Sequence, residues 1–168
     1  MRKTTLATTT LTAAAFTLPA GVQAQSGAVT IELPRVSDPN YRKPYLAAWL
    51  EEASGKPLAV SAVLHDQSRI GSRWLSELRT WWRKRGRDMT MPADGISAPT
   101  RAAGRHTIAI KGLAGLGDGT YRLVVEAARE KAGREVVNVP VVIRGGQVRA
   151  ASAQGHRELG HVRVSPRG

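Results

Sequence analysis

Asp94, Ser97 and Thr100 place a carboxylate and two hydroxyls at three-residue intervals in the small-residue stretch DGISAPTRAAGRHT, residues 94–107. An acid ahead of a serine can position a loop or receive a proton, and small neighbours leave room for an incoming group. The simpler use of Asp94, Gly95 and Ser97 is a turn into the next strand. No constellation of nucleophile, base and orienting group accompanies these residues, so the chain is expected not to be an enzyme and to have no catalytic residues.

The other chemistry-bearing side chains are scattered. His65, His106, His156 and His161 are the four imidazoles, and there is no cysteine. Imidazoles without thiols can hold copper, iron or haem. The five-residue separation of His156 and His161, however, matches no common ligand spacing, and in a strand it sends them to opposite faces. No metal site is expected. Glu126 and Glu130 fit strand-surface charges better than an acid–base pair. The run GLAGLGDG has the glycines of a phosphate loop but no helix pattern behind it, so it predicts a flexible hairpin loop. Absence of cysteine excludes a disulfide framework, a thiolate zinc centre, c-type haem attachment and a cysteine nucleophile.

Residues 1–24 carry the marks of a secretory leader. Arg2 and Lys3 precede the apolar LTAAAFTL, Pro19 breaks it, and Val22-Gln23-Ala24 offers small residues for cleavage. The apolar run is too short to span a bilayer. What remains, residues 25–168, is expected to be one exported domain in the periplasm. Loss of Arg2 and Lys3 lowers the formal charge from +12 to +10. So basic a chain ordinarily suggests nucleic acid, but export argues against that partner. Anionic lipid head groups, polysaccharides and phosphorylated small molecules are the alternatives, beside a basic surface that is merely solvated.

The elements that must position these residues are mostly strands. AVTIEL (Ala28 to Leu33), YLAAWLEE (Tyr45 to Glu52) and LAVSAVL (Leu58 to Leu64) come first, the last two joined by the turn SGKP. In SRWLSELRTWWRKRG the period changes: Trp74, Leu75, Leu78, Trp81 and Trp82 form a helical stripe. One amphipathic helix over about 72–85 is predicted, with Ser72 as N-cap and Gly86 just past its end. Trp81 and Trp82 beside Arg79, Arg83, Lys84 and Arg85 could stack on a flat ring or lie on a membrane; the narrow stripe favours packing over an open end of the fold. Strands resume at RHTIAI, YRLVVEAARE, EVVNVPVVIR, QVRAAS and within RELGHVRVS. Pro140 argues for an edge or a bulge, and Gly145-Gly146 for a tight hairpin. Seven or eight short strands and one helix predict a mainly β fold, an immunoglobulin- or fibronectin-like antiparallel β-sandwich with the helix inserted between strands three and four. GDGTY resembles the tyrosine corner of such folds, with the Tyr121 hydroxyl as its tie.

Four blocks, DPNYRKPYLAAWLEEASGKPL, RWLSELRTWWR, DGISAPTRAAGRHTI and GTYRLVVEAAREKAGRE, resemble in order the bacterial periplasmic family called domain of unknown function 2271. The resemblance runs from about Tyr41 to the C-terminus. It implies a one-domain exported sandwich that accompanies PepSY-type membrane proteins and flavin-attachment systems, with no established enzymatic activity. Where members tend to carry a Trp-Asp-Gly-like element before the glycine-rich loop, this chain has Ile110-Lys111-Gly112. In many members the loop after the helix is close to Asp-x-x-Ser-Gly-Ala-Thr, similar to the acceptor of the FAD:protein FMN transferase, which esterifies a threonine. The resemblance thus implies covalent FMN on Thr100, with Ser97 and Asp94 beside it. Ala98-Pro99 departs from that pattern by removing a glycine and a backbone N–H. The expected function is a non-enzymatic accessory module of a membrane-associated redox or iron-related system. The alternative is a cofactor-free periplasmic module that binds an anionic ligand or a partner protein.

Overall fold

The computed structural model describes residues 25–167, and the leader expected over residues 1–24 lies outside the described residues. Alternation sets the first strand. In β1 (Gly27–Leu33) Val29, Ile31 and Leu33 are buried while Thr30 and Glu32 between them reach solvent. The strands that follow are β2 (Tyr45–Glu51), β3 (Pro57–Leu64), β4 (Ser97–Ala98), β5 (Gly104–Ala109), β6 (Gly119–Ala128), β7 (Arg134–Arg144), β8 (Gln147–Val148), β9 (Ala151–Gln154) and β10 (His161–Pro166). They form a four-stranded sheet in the order β5-β1-β10-β9 and a six-stranded sheet in the order β4-β3-β2-β6-β7-β8. The chain is the mainly β sandwich that its periodicity predicts. Among the described residues pairing is antiparallel except at one place: Ser97 and Ala98 lie parallel to Val63 and Leu64.

Between the sheets, Ile31, Leu46, Leu50, Leu123, Val139 and Val164 belong to one apolar cluster. β2 is buried along its whole length, because it is covered on both sides. Leu46, Ala48 and Leu50 face the inter-sheet core. Tyr45, Ala47 and Trp49 face outward into a second cluster with Leu75, Leu78 and Trp81. The helical segment therefore packs flat on the outer face of the six-stranded sheet. It neither closes an open end of the sandwich nor carries the chain from one sheet to the other, since β3 before it and β4 after it are neighbours.

That segment is two pieces, not one helix over 72–85. A 3-10 stretch, Gly71–Glu77, is followed by α1 (Arg79–Lys84), and Leu78 between them has ψ 68°. The physical reason lies in the buried positions. Leu75, Leu78 and Trp81 are the sealed residues, spaced by three as a 3-10 turn requires, while Trp74 and Trp82 are only half-buried. Ser72 does not cap; it sits inside the first piece and its hydroxyl donates to the Ser68 carbonyl at 3.0 Å. Nor does Gly86 end the helix in a left-handed conformation. It opens a short 3-10 turn (Gly86–Asp88), and a Cβ there would come within 2.6 Å of the Trp81 ring.

Two buried carboxylates from the sheet hold α1 at its ends. Glu126, expected at the strand surface, is fully buried and accepts the backbone N–H groups of Thr80 (3.0 Å) and Trp81 (2.8 Å), as well as Arg134 Nε at 2.6 Å. The carboxylate lies under the helix because Glu126 shares the outward face of β6 with Val124. Glu51 accepts Trp49 Nε1 at 2.7 Å, Lys84 Nζ at 2.5 Å and Arg122 Nη2 at 2.9 Å. Burial raises the proton affinity of Glu51, but these three donors outweigh it and hold the carboxyl below its ordinary value.

The turns follow their residues. Gly145 and Gly146 both have positive φ, 58° and 70°, as a type I′ hairpin demands. Pro140 faces Arg122 across β6, on a strand whose other neighbour pairs only with Ile143 and Arg144. The Tyr121 hydroxyl donates to the Gly117 carbonyl at 3.1 Å, making the predicted corner.

Candidate functional site

The loop after the helical segment returns the chain to the sheet. Ala93 opens a tight turn in which its carbonyl accepts the Ile96 and Ser97 N–H groups at 3.3 and 3.0 Å. Its own N–H donates to Ser97 Oγ at 2.8 Å. Gly95 takes a φ of 71°, and Lys111 Nζ ties down its carbonyl at 2.6 Å. The Val63 N–H then bonds to the Ile96 carbonyl and the His65 N–H to the Ala98 carbonyl, at 2.8 and 3.0 Å. Asp94 is exposed at the tip of the turn. Pro99 is accommodated, since a residue before proline favours an extended backbone and Ala98 already lies in β4.

Asp94, Ser97 and Thr100 do not converge on one pocket. Ser97 borders a groove of about 210 Å³ along the seam between the sheets, with Ser61, Arg101 and Lys111. Thr100 lies two residues past β4, half-buried and outside any strand. It borders an open cleft of about 230 Å³ with Tyr41, Arg42, Lys43, Tyr45, Asp66 and Glu130. A neighbouring groove of about 260 Å³, lined by Arg35, Val36, Tyr41, Ala102 and Ala103, shares Tyr41 with that cleft.

The cleft is electrostatically mixed. Arg42 Nε pairs with Glu130 Oε2 at 3.4 Å, so Glu130 is a cleft residue and not a bare strand charge. Asp66 accepts the Ser68 N–H at 2.9 Å, and the Ser68 hydrogen bonds hold its carboxyl below the usual range. The Tyr45 hydroxyl donates to the Gly71 carbonyl at 2.9 Å. Burial, reinforced by the Asp66 charge, raises the proton affinity of that phenol. Under the cleft, fully buried His65 places Nδ1 2.9 Å from the Asp66 carbonyl, which fixes the proton on Nδ1. Its ring stands edge-on to Tyr45 at 6.3 Å.

Of the cleft residues the sequence marks only Thr100 as a candidate site; it offers Glu130 as a strand-surface charge. Tyr41, Arg42 and Lys43 sit in a polar stretch that predicts only turns, and Asp66 and Glu130 follow the ends of strands; no spacing links the four segments. The remaining histidines are apart. His106 Nε2 lies 2.8 Å from the Ala102 carbonyl, while His156 and His161 are exposed. Among the described residues no three His, Cys, Asp or Glu side chains form a group able to hold a metal.

Neither a curated protein nor a solved structure matches the chain. A family model does, over residues 26–161, which takes in the sandwich from the start of β1 to the start of β10. The chain therefore belongs to the periplasmic family described as "Predicted periplasmic protein (DUF2271)".

Proposed function

We propose that this periplasmic protein is a non-enzymatic accessory module of a membrane-associated redox system, and that it carries FMN esterified to Thr100. One observation carries the choice of residue. Thr100 stands beyond the last ladder position at the rim of an open cleft, whereas the Ser97 hydroxyl is engaged by the Ala93 N–H. The Thr100 oxygen would bond to the flavin-side phosphorus of FAD, the bond from that phosphorus to AMP would break, and the hydroxyl proton would leave with the transferase's base. AMP is the leaving group, so no oxidant or reductant is needed.

The residues present suit such a group in a limited way. A cleft of about 230 Å³ is smaller than a typical cofactor pocket. It suits the phosphoribityl part, with Lys43 beside it and the ring extending towards the groove that shares Tyr41. Arg42 and Glu130 compensate each other, which leaves Lys43 and Asp66 to set the local charge. Bound FMN supplies one- and two-electron transfer; the sandwich supplies rigidity and a solvent-accessible edge. An FAD:protein FMN transferase and a PepSY-type membrane protein are the partners this role calls for.

Co-expression of the mature protein with such a transferase, followed by denaturation and intact-mass measurement, tests the assignment. One covalent FMN is expected on the wild type and on Ser97→Ala, and none on Thr100→Val. An unmodified wild-type mass would remove the flavin and leave a module without it.

A further inference from the structure

Between the helical segment and the start of β7, a groove of about 390 Å³ is lined by Ser76, Arg79, Trp82, Arg83 and Arg134 and shares no lining residue with the Thr100 cleft. We propose that this groove binds a phosphate monoester carried on a flat or apolar small molecule. Three guanidinium groups meet there, and the acids nearby do not neutralise them all. Glu126 lies beneath, already shared among two backbone N–H groups and Arg134. Glu77 reaches Arg79 only at 3.5 Å, in a pair whose arginine is 68% exposed, and such pairs are weak.

Two of the three arginines are oriented before any ligand arrives. Arg134 donates from Nε to Glu126 and from Nη2 to Thr80 Oγ1 at 2.5 Å, so its plane is fixed, and both Nη1 hydrogens and the second Nη2 hydrogen remain for an oxyanion. Arg83 donates from Nε to the Arg79 carbonyl at 3.3 Å, which leaves the hydrogens of its two terminal amino groups as open donors. Preset donors lose little freedom on binding, and guanidinium forks match phosphate oxygens two at a time. The half-buried Trp82 indole supplies a flat apolar wall beside them, and Ser76 a hydroxyl at the rim. A dianionic phosphate head with a planar tail fits that combination of charge and surface. The Thr80 and Trp81 N–H groups in the first turn of α1 take no part, since Glu126 occupies them. This inference stands on Arg79, Trp82, Arg83 and Arg134 and does not depend on Thr100.

Phenyl phosphate and inorganic phosphate, titrated into the mature protein by calorimetry, test it. Phenyl phosphate is expected to bind at one site per chain, more tightly than inorganic phosphate and more weakly as salt rises. Arg79→Gln with Arg83→Gln should weaken it by roughly tenfold or more per arginine. Both positions are exposed, so the variant's melting temperature should stay at the wild-type value, which shows that the fold is intact. Trp82→Phe should cut the preference for phenyl phosphate over inorganic phosphate while leaving inorganic phosphate binding in place. Equal affinity in wild type and the double arginine variant would overturn the proposal. So would retention on vesicles of anionic phospholipid without uptake of either soluble phosphate, which would make this face a membrane contact instead.

Discussion

Replacing Glu126 by methionine keeps most of its volume and exchanges both carboxylate oxygens for a thioether that accepts only weakly, so it isolates what the buried carboxylate contributes to α1. The Trp81 N–H is buried and would lose its acceptor outright, which costs about 1–3 kcal/mol. The Thr80 N–H is only partly buried, and the Arg134 side chain is 33% exposed. Both can turn to water, so each loss is discounted to about 0.5–1 kcal/mol. Together these give about 3 kcal/mol, a large share of the roughly 5–15 kcal/mol that holds a domain folded. For a domain of this size the melting temperature should fall by about 10 °C. Urea unfolding with Glu52→Ala as the control measures it, because Glu52 meets Lys56 only at 3.9 Å on the surface and should matter by less than about 0.5 kcal/mol. Amide exchange gives the local signature: protection at Thr80 and Trp81 should drop before that of β2 or β6. A loss below about 1 kcal/mol, or unchanged exchange at those two amides, would refute the claim that this carboxylate anchors the helix.

Two further expectations concern the same layer and its response to acid. Gly86→Ala should destabilise by about 1–3 kcal/mol in a thermal melt, since the new Cβ would press on both the Trp81 and Trp82 rings. Stability should also fall in acid. Glu51 and Glu135 are each raised by burial but lowered on balance, Glu51 by its cationic and indole donors and Glu135 by the N–H groups of His156, Arg157, Glu158 and Leu159. Folded-state values below the ordinary 4.5 mean that the unfolded chain binds more protons. The stabilisation is therefore present above that pH and lost as pH falls through and below it. Urea midpoints across pH 7 to 3 check this, and Glu135→Gln should flatten the acid limb.

The strands were legible where one face is wet. β1 alternates, and β7 alternates from Val137 to Arg144, and the sequence places the ends of both within a residue. β6 does not alternate, because Leu123 to Ala128 are all buried between the inter-sheet core and the helical layer. β2 reads as a strand from its alternation of faces, and its double burial is signalled only by six apolar side chains in succession from Tyr45 to Leu50, which leave no wet face. The helical segment misled for a physical reason. Its apolar residues fit a 3.6-residue period almost as well as a period of three, and only contact with a flat sheet selects the narrower stripe of Leu75, Leu78 and Trp81. Glu51 and Glu126 carry no sequence mark of burial, because a charged residue on a strand is ordinarily a solvated one. Their donors come from residues 33 and 45–46 positions away, apart from the local Trp49 and Arg134 bonds and the Arg122 bond across the sheet.

Topology explains why the cleft lies where it does. The chain leaves the six-stranded sheet at Leu64, runs across the outer face as two short helical pieces, and rejoins β3 in parallel at Ser97. β4 runs the same way as β3 and pairs with its last two residues, so the chain leaves both strands at the same end. Asp66, just past the exit, and Thr100, just past the return, therefore border one opening. Tyr45 at the head of β2 forms the third wall, and its hydroxyl holds the Gly71 carbonyl where the helical excursion begins. An antiparallel pairing at the same two residues would have turned Thr100 back along β3, away from Asp66. The two-residue parallel bridge, small as it is, decides which side chains Thr100 meets.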